Sequence, residues 1–309
     1  MVLSREKYFT MPLFRKDKTF LLDWMQVYME AQESAGKKDG SQIKIAMRIL
    51  KDYAGEMVTL DQIDGDFCRG YITYLLTEYH PKGKDISNYT LHNYYRALNG
   101  ALNSAVRKKK MKANPFNELE KSEKIRKPES MRSYMTIEEV QALIDTPMPH
   151  EEYEIVKCAY LFSCFCGLRI SDIIKLKWSD VFVDRGQYRL AVSMKKTKEP
   201  IYLPLSPEAL KWMPERGGKS SEDNVFDLPS ANTIRMQLKP WAKAAGISKR
   251  FSYHTSRHTF ATMMLTLGAD LYTVSKLLGH ADVKMTQVYA KIINKKKDEA
   301  VNLVNGLFH

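Results

Sequence analysis

His254, Arg257, His280 and Tyr289 sit among apolar helix formers in HTSRHTFATMMLTLGADLYTVSKLLGHADVKMTQVYAKI, residues 254–292, a stretch that otherwise reads as packed helices. His254 and Arg257 are three apart, so on a helix they share one face and lie about 5–6 Å from each other, close enough to hold one ligand. His280 follows Leu277-Leu278-Gly279, a helix end with glycine as the turn residue, and Tyr289 comes after ADVKMTQV on the next segment. Upstream, CGLRISDIIKL puts Arg169 just after a glycine turn at a helix start, with Asp172 three residues on, where its carboxylate can hold the guanidinium. Lys196 sits in a β-turn among Lys195 and Lys198. Arginine, lysine, histidine and tyrosine with few free carboxylates suit a phosphodiester: arginine forks bind nonbridging oxygens, and positive charge stabilises a pentacovalent transition state without a metal. Taken one at a time, each residue also has an ordinary structural explanation. An arginine at a helix start pairs with surface carboxylates, His254 can cap its helix, and Tyr289 is one of 17 tyrosines.

The elements that must position these groups follow from periodicity. In the N-terminal third, TFLLDWMQVYMEAQES places Leu21, Leu22, Trp24, Met25 and Tyr28 on one face, and SQIKIAMRILKDYAG and DFCRGYITYLLTEY predict two further helices. SNYTLHNYYRALNGALNSAVRKKK repeats Leu91, Tyr95, Leu98, Leu102 and Val106 at helical spacing and ends in a basic run. Four such helices form a compact bundle. Periodicity then fades between 111 and 130, where Pro115, Pro128 and dense charge mark an interdomain linker. Helices return at MTIEEVQALID, with Thr136 and Glu139 as a capping box, and run through the apolar EEYEIVKCAYLFSCFCGLRISDIIKLKW. VFVDRGQYRLAVSMKKTKEPIYLPL alternates β-formers around turns at Asp184-Arg185-Gly186 and Lys196-Thr197-Lys198-Glu199, which predicts three antiparallel strands. Helices resume at SPEALKWM, SANTIRMQLKPWAKAAGI and the 254–292 stretch, and the tail KKKDEAVNLVNGLFH carries a short apolar face.

Bulk composition narrows the class. A chain of 309 residues with 44% hydrophobic content buries a sizeable core and suits two domains. Its apolar runs fall well short of a membrane span, and MVLSREKYFTMPLFRKDK is charged where a signal peptide would be apolar, so a soluble cytoplasmic protein without membrane partners is expected. Four cysteines without zinc spacing read as reduced core residues. Lys plus Arg exceed Asp plus Glu by 48 to 36, a net charge of +12, which favours a polyanionic partner. Residues 105–129 alone hold nine basic against four acidic side chains.

The order Arg169, Lys196, His254/Arg257, His280, Tyr289 resembles the tyrosine recombinase (phage-integrase-like) family. GLRISD is similar to the family's first arginine box, KKTKEPIYLPL to its hairpin lysine segment, and HTSRHTFATMML with LLGHADVKMTQVYAKI to its second box. The resemblance covers roughly residues 135–295, and the N-terminal helices match the family's core-binding domain in pattern only. Ser256 departs from it, standing where the family often has an apolar residue.

The resemblance implies a mainly α fold with a small antiparallel sheet in the catalytic domain, as a two-domain C-shaped DNA clamp. It divides the chain into a helical core-binding (SAM-like) domain at 1–112, a basic linker at 113–130 and a catalytic domain at 131–309 with a C-terminal exchange helix. It implies a site-specific recombinase that integrates, excises or inverts a mobile or invertible DNA element through a 3′-phosphotyrosyl intermediate, with no cofactor or metal. Tyr289 would be the nucleophile, Arg169 and Arg257 the phosphate clamp, His280 a further phosphate donor, and Lys196 the acid for the leaving 5′-oxygen. His254 would be the base or another phosphate ligand, and Asp172 would orient Arg169. Lys108, Lys109, Lys110 and Tyr94 are the expected contacts to double-stranded DNA, whereas Tyr95 falls on the apolar seam. The chain would act as a homotetramer on two recombining sites and be monomer or dimer when free. With few residues before 17, a simple core-site recombinase without an arm-binding domain is expected. A type IB-like topoisomerase and a non-catalytic DNA-binding regulator with the same fold are the alternatives.

Overall fold

The computed structural model describes residues 18–37, 40–128, 132–193 and 200–290. Lys196 and the expected C-terminal exchange helix lie outside them. The chain splits into two compact units, residues 1–130 and 131–309.

In the first unit the four predicted helices are α1 (Leu21–Ser34), α2 (Gly40–Ala54), α3 (Gly65–Thr77) and α4 (Asn88–Arg107). Two are capped by side chains placed to accept a first-turn N–H: Asp64 Oδ1 takes Phe67 N at 2.8 Å and Ser87 Oγ takes Thr90 N at 3.3 Å. Their apolar stripes meet in one core that includes Trp24, Met25, Ile49, Tyr71 and Leu98. The Trp24 indole N–H, buried with the ring, donates to the Ala101 carbonyl at 2.9 Å and so joins α1 to α4.

The expected linker needs correction. Residues 114–125 belong to the bundle: Phe116 is 1% exposed and Leu119 3%, both in the same core. The Phe116 ring meets Tyr95 edge-on at 4.9 Å. The Asn114 side-chain amide donates to Asn99 Oδ1 at 2.7 Å and Asn103 Oδ1 at 2.9 Å. Here a few well-placed apolar and amide groups outweigh the charged, proline-containing composition, because each buried aromatic contributes more than several solvated lysines cost. The break between the units falls after residue 130, at the expected start of the second domain, and residues 113–130 group with the first unit.

The second unit is built around α6 (Glu154–Cys166), whose side chains from Val156 to Cys166 are largely buried. Before it comes α5 (Ile137–Asp145), with the predicted capping box made in both directions: Glu139 N to Thr136 Oγ1 at 3.2 Å and Thr136 N to Glu139 Oε2 at 2.7 Å. After it comes α7 (Ile170–Ile173), one turn long where a longer helix is predicted. The chain leaves the helix there because the Leu176 carbonyl accepts from Val225 N at 2.8 Å and Lys177 bridges to Asn224. A three-stranded antiparallel sheet follows as predicted: β1 (Val181–Asp184), β2 (Gln187–Ser193) and β3 (Pro200–Pro204) in the order β1-β2-β3. Arg185 and Gly186 form the tight first hairpin at φ of 50° and 77°, the left-handed pair a two-residue turn requires. Then come α8 (Pro207–Leu210), α9 (Ala231–Ala244), α10 (Tyr253–Thr266), α11 (Leu271–Leu277) and α12 (Lys284–Ala290). Cys68, Cys164 and Cys166 are buried free thiols and Cys158 is half-buried. Among the described residues no helix is long and apolar enough to cross a membrane.

If residues 114–125 are part of the bundle, Phe116→Ala will destabilise the first unit by about 3 kcal/mol, the usual cost of an emptied phenylalanine site. The unfolding midpoint of the full chain in denaturant then drops. A residue in a solvated linker would leave it unchanged.

Candidate active site

The site is assembled from three turns and one central helix. α6 ends at Gly167, whose φ of +74° terminates the helix in the left-handed region. A Cβ at this position would stand 2.5 Å from Phe260 Cδ1, so glycine is also required by packing. The Leu168 carbonyl beyond it is held by Ser163 Oγ at 2.6 Å. This rigid turn delivers Arg169 to the start of α7, where its backbone N–H donates to Asp172 Oδ2 at 3.3 Å.

α10 runs through the middle of the second unit, and every residue from Thr255 to Thr262 is buried. Ser256, the departure from the family pattern, is compensated inside the core: its hydroxyl donates to the Tyr253 carbonyl at 2.6 Å and lies 2.8 Å from Ser163 Oγ. Arg257 is 2% exposed. Its Nη1 donates to the Gly167 carbonyl at 2.7 Å and its Nη2 to the Leu278 carbonyl at 2.6 Å. The guanidinium therefore links the turn before Arg169 to the turn before His280. Two of its five N–H groups serve this purpose, which leaves capacity for an anion. Among the described residues no carboxylate forms an ion pair with it.

α11 ends at Leu278 and Gly279, and the His280 N–H folds back to the Ser275 carbonyl at 3.0 Å. The His280 ring sits with Nδ1 2.7 Å from Thr286 Oγ1 on α12. One turn further along α12 lies Tyr289, 3% exposed and packed with Phe260, Leu265 and Leu278. Its hydroxyl is 2.6 Å from Nδ1 of His258.

His258 is the group that the sequence reading misses. It lies within HTSRHTFATMML, where it is given no role, although its position four residues after His254 places both on one face. The two rings meet edge-on, 4.5 Å between centroids. Nε2 of His258 faces Arg132 Nη1 at 3.4 Å. Arg132 precedes α5, and its segment is fixed by two residues that follow: Ser133 Oγ donates to the Arg250 carbonyl at 2.6 Å and Met135 N to Thr259 Oγ1 at 2.9 Å. Nothing in the local sequence signals Arg132, because the contact spans 126 residues.

Burial and like charge act together on these groups. Desolvation, followed by the Arg169 charge, pulls the Arg257 guanidinium down to about 10, still charged at neutral pH. Desolvation, then His254 and the guanidiniums of Arg132 and Arg257, lower the His258 imidazole to about 3. Desolvation and the charges of Arg257, Arg169 and Arg132 lower His280 to about 4. His254, whose outer edge is open to solvent, moves the same way, through desolvation and then through Arg257, Arg132 and Arg169. Burial pushes the Tyr289 phenol above its ordinary value, with Arg132, Arg257 and Arg169 pulling against it. The result is a pocket of neutral imidazoles and charged guanidiniums around one phenol, a field that favours an anion.

Of the predicted residues, Arg169, His254, Arg257, His280 and Tyr289 are thus brought together, with Asp172 beside Arg169. Lys196 lies outside the described residues. Lys108, Lys109 and Lys110 are exposed at the C-terminal end of α4 in the other unit. Tyr94 requires correction as a DNA contact: it is 7% exposed and packs edge-on against Tyr79 at 6.2 Å, in the core of the bundle. Its hydroxylated ring falls on the same broad apolar face as Leu91 and Leu98, and Tyr95, also buried, shares it.

A helical bundle followed by a helical unit with a three-stranded sheet, and with two arginines, two histidines and a tyrosine converging on its central helix, defines the tyrosine recombinase class. Residues 133–296 match the Phage integrase family and residues 20–126 the Phage integrase SAM-like domain. The chain belongs to the phage integrase family. A tyrosine recombinase of Pseudothermotoga lettingae is 29% identical over 242 residues, 71% of this chain and 82% of the relative. The tyrosine recombinase XerD of Halalkalibacterium halodurans is 34% identical over 169 residues, 51% of this chain, and the match spans little more than half of that relative, 56%. In fold, the chain is similar to the Tn1549 transposon integrase solved in complex with transposon right end DNA, with a TM-score of 0.69 at 17% identity, covering 94% of this chain and 100% of that one.

The depressed histidines carry a pH signature. Unfolded, His258 and His280 bind protons near 6.5; folded, they bind them only near 3 and 4. Between those values the unfolded state holds more protons, so stability falls as pH falls from about 6.5 towards 4. Denaturant titrations of the full chain will show this slope, and His280→Asn will make it shallower.

Proposed function

We propose that the protein is a site-specific DNA recombinase that cuts and rejoins strands through a 3′-phosphotyrosyl intermediate. One observation carries this reading furthest: a buried, carboxylate-free Arg257 ties the Arg169 turn to the His280 turn, and the next residue on its helix, His258, touches the Tyr289 hydroxyl. A buried guanidinium lacking a carboxylate partner, as Arg257 is, is stabilised by an anionic ligand, and with Arg169 beside it the two forks match the two nonbridging oxygens of a phosphodiester.

Tyr289 Oη attacks phosphorus in line. The P–Oη bond forms as the P–O5′ bond breaks, the phenol gives up its proton, and the departing 5′-oxygen takes one. Arg169 and Arg257 hold the nonbridging oxygens, and His280 adds a hydrogen bond as charge builds on them. Lys196 protonates the 5′-oxygen, and His254, at the open edge of the pocket, receives the phenol proton or supports the phosphate. One phosphodiester replaces another, so the step is nearly thermoneutral and runs backward when a 5′-hydroxyl from the partner duplex attacks. Asp172 keeps the turn that carries Arg169 in place.

Exchange between two duplexes breaks four strands, and each chain supplies one nucleophile, so four protomers act on a pair of sites. Integration, excision or inversion of a mobile or invertible element is the biological outcome of this chemistry. The basic C-terminal end of α4, with Lys108, Lys109 and Lys110, binds the DNA backbone through phosphate contacts that weaken as salt rises.

Incubation with a nicked suicide substrate tests the reading. The wild-type protein should form a covalent protein–DNA adduct that Tyr289→Phe abolishes and that Arg257→Lys slows by about 10²-fold, the usual cost of a lost oxyanion donor. An adduct-free wild type would point to a DNA-binding regulator, and relaxation of any supercoiled plasmid to a topoisomerase. Lys196→Ala should cleave slowly on an ordinary strand and recover on one with a 5′-bridging sulfur, a leaving group that needs no proton. Equal slowing on both substrates would assign the acid to another group.

A further inference from the structure

We propose that His258, tied at Nε2 by Arg132, is a positioning residue for strand transfer: its Nδ1–H donates to the Tyr289 oxygen and holds that oxygen as it becomes a nucleophile. The inference rests on Tyr289 being the nucleophile. It follows from the contacts on either side of one ring. A neutral imidazole has a single N–H, and a guanidinium can only donate. Arg132 Nη1 at 3.4 Å therefore selects the tautomer with a lone pair on Nε2 and the proton on Nδ1. That proton points at Tyr289 Oη, 2.6 Å away. The phenolic hydrogen is then directed elsewhere, towards the open side of the pocket where His254 stands.

The surroundings keep His258 in this role. It is 7% exposed, its ring touches His254 on its own helix and Arg132 on the segment before α5, and the charges that reach it are those two, Arg257 and His280 at the turn before α12. All of these are cationic or neutral, so the ring stays uncharged and cannot act as the base that removes the phenol proton. As a donor it stabilises developing negative charge on Oη, in the manner of a second histidine partner that fixes tautomer and orientation. The tie on Arg132 is itself held in place, since the segment that carries it is bonded to Arg250 and Thr259.

The test is the pH dependence of adduct formation on the suicide substrate at saturating DNA. His258→Phe should move the acidic limb of the profile to higher pH and slow cleavage at neutral pH by about 10²-fold. His258→Asn, whose side-chain N–H overlays Nδ1, should recover most of the rate, and Arg132→Ala should shift the same limb by less. In the free protein, the phenolate absorbance that Tyr289→Phe removes should titrate at higher pH in the His258→Phe background. Identical behaviour of the Phe and Asn variants, an unmoved limb, or faster cleavage by His258→Phe would overturn the proposal while leaving Tyr289 as the nucleophile. Absence of any adduct from the wild type would overturn the nucleophile and this role with it.

Discussion

The second unit is organised around a buried positive charge. Arg257 is 2% exposed, and a guanidinium removed from water costs several kcal/mol unless its donors are met. Two carbonyls meet them, at Gly167 and Leu278, and both are exposed by turns that end helices. Glycines end both helices, at Gly167 and Gly279, and the charge is met by the carbonyls those turns present. Each turn then hands its next polar residue, Arg169 or His280, to the same side of α10. A side chain that looks like a phosphate ligand is also the fastener of its own pocket, so catalytic geometry and local folding depend on the same two hydrogen bonds.

The price of that arrangement appears in the neighbouring groups. Guanidiniums from three separate segments, at residues 132, 169 and 257, crowd three imidazoles and one phenol, and the imidazoles answer by remaining neutral. Among the described residues no carboxylate forms an ion pair with Arg257, and Asp172 beside Arg169 is the one carboxylate whose charge reaches it, which leaves a field suited to a phosphodiester oxygen and to an incipient phenolate. The same crowding that keeps the imidazoles neutral makes the folded state lose stability towards acid.

Much of this was legible in the order of residues. Helical stripes located the four bundle helices, Thr136 and Glu139 announced their capping box, and Asp184-Arg185-Gly186 announced the hairpin. Arg169, His254, Arg257, His280 and Tyr289 were readable as a set because their order and spacing resemble the boxes of the tyrosine recombinase family, whereas each alone has an ordinary structural explanation. The failures share a cause. Residues 114–125 look like solvated linker by composition yet pack Phe116 and Leu119 into the bundle, and Tyr94 looks like a surface tyrosine beside a basic run yet belongs to the buried face. Composition averages over side chains, whereas burial is decided by which particular ones find a neighbour.

The sequence by itself determined the periodicities, the turns and the identity of the groups with chemistry, since these depend on residues a few positions apart. Only the tertiary structure decided how the groups are used. The Arg257 anchors lie 90 and 21 residues away, the His258–Tyr289 contact spans 31, and the Arg132–His258 contact spans 126. Protonation states follow from those distant neighbours, because desolvation and charge act through space and not along the chain. A histidine in RHTF is therefore an ordinary helix residue on paper and the partner of the tyrosine hydroxyl in the folded protein.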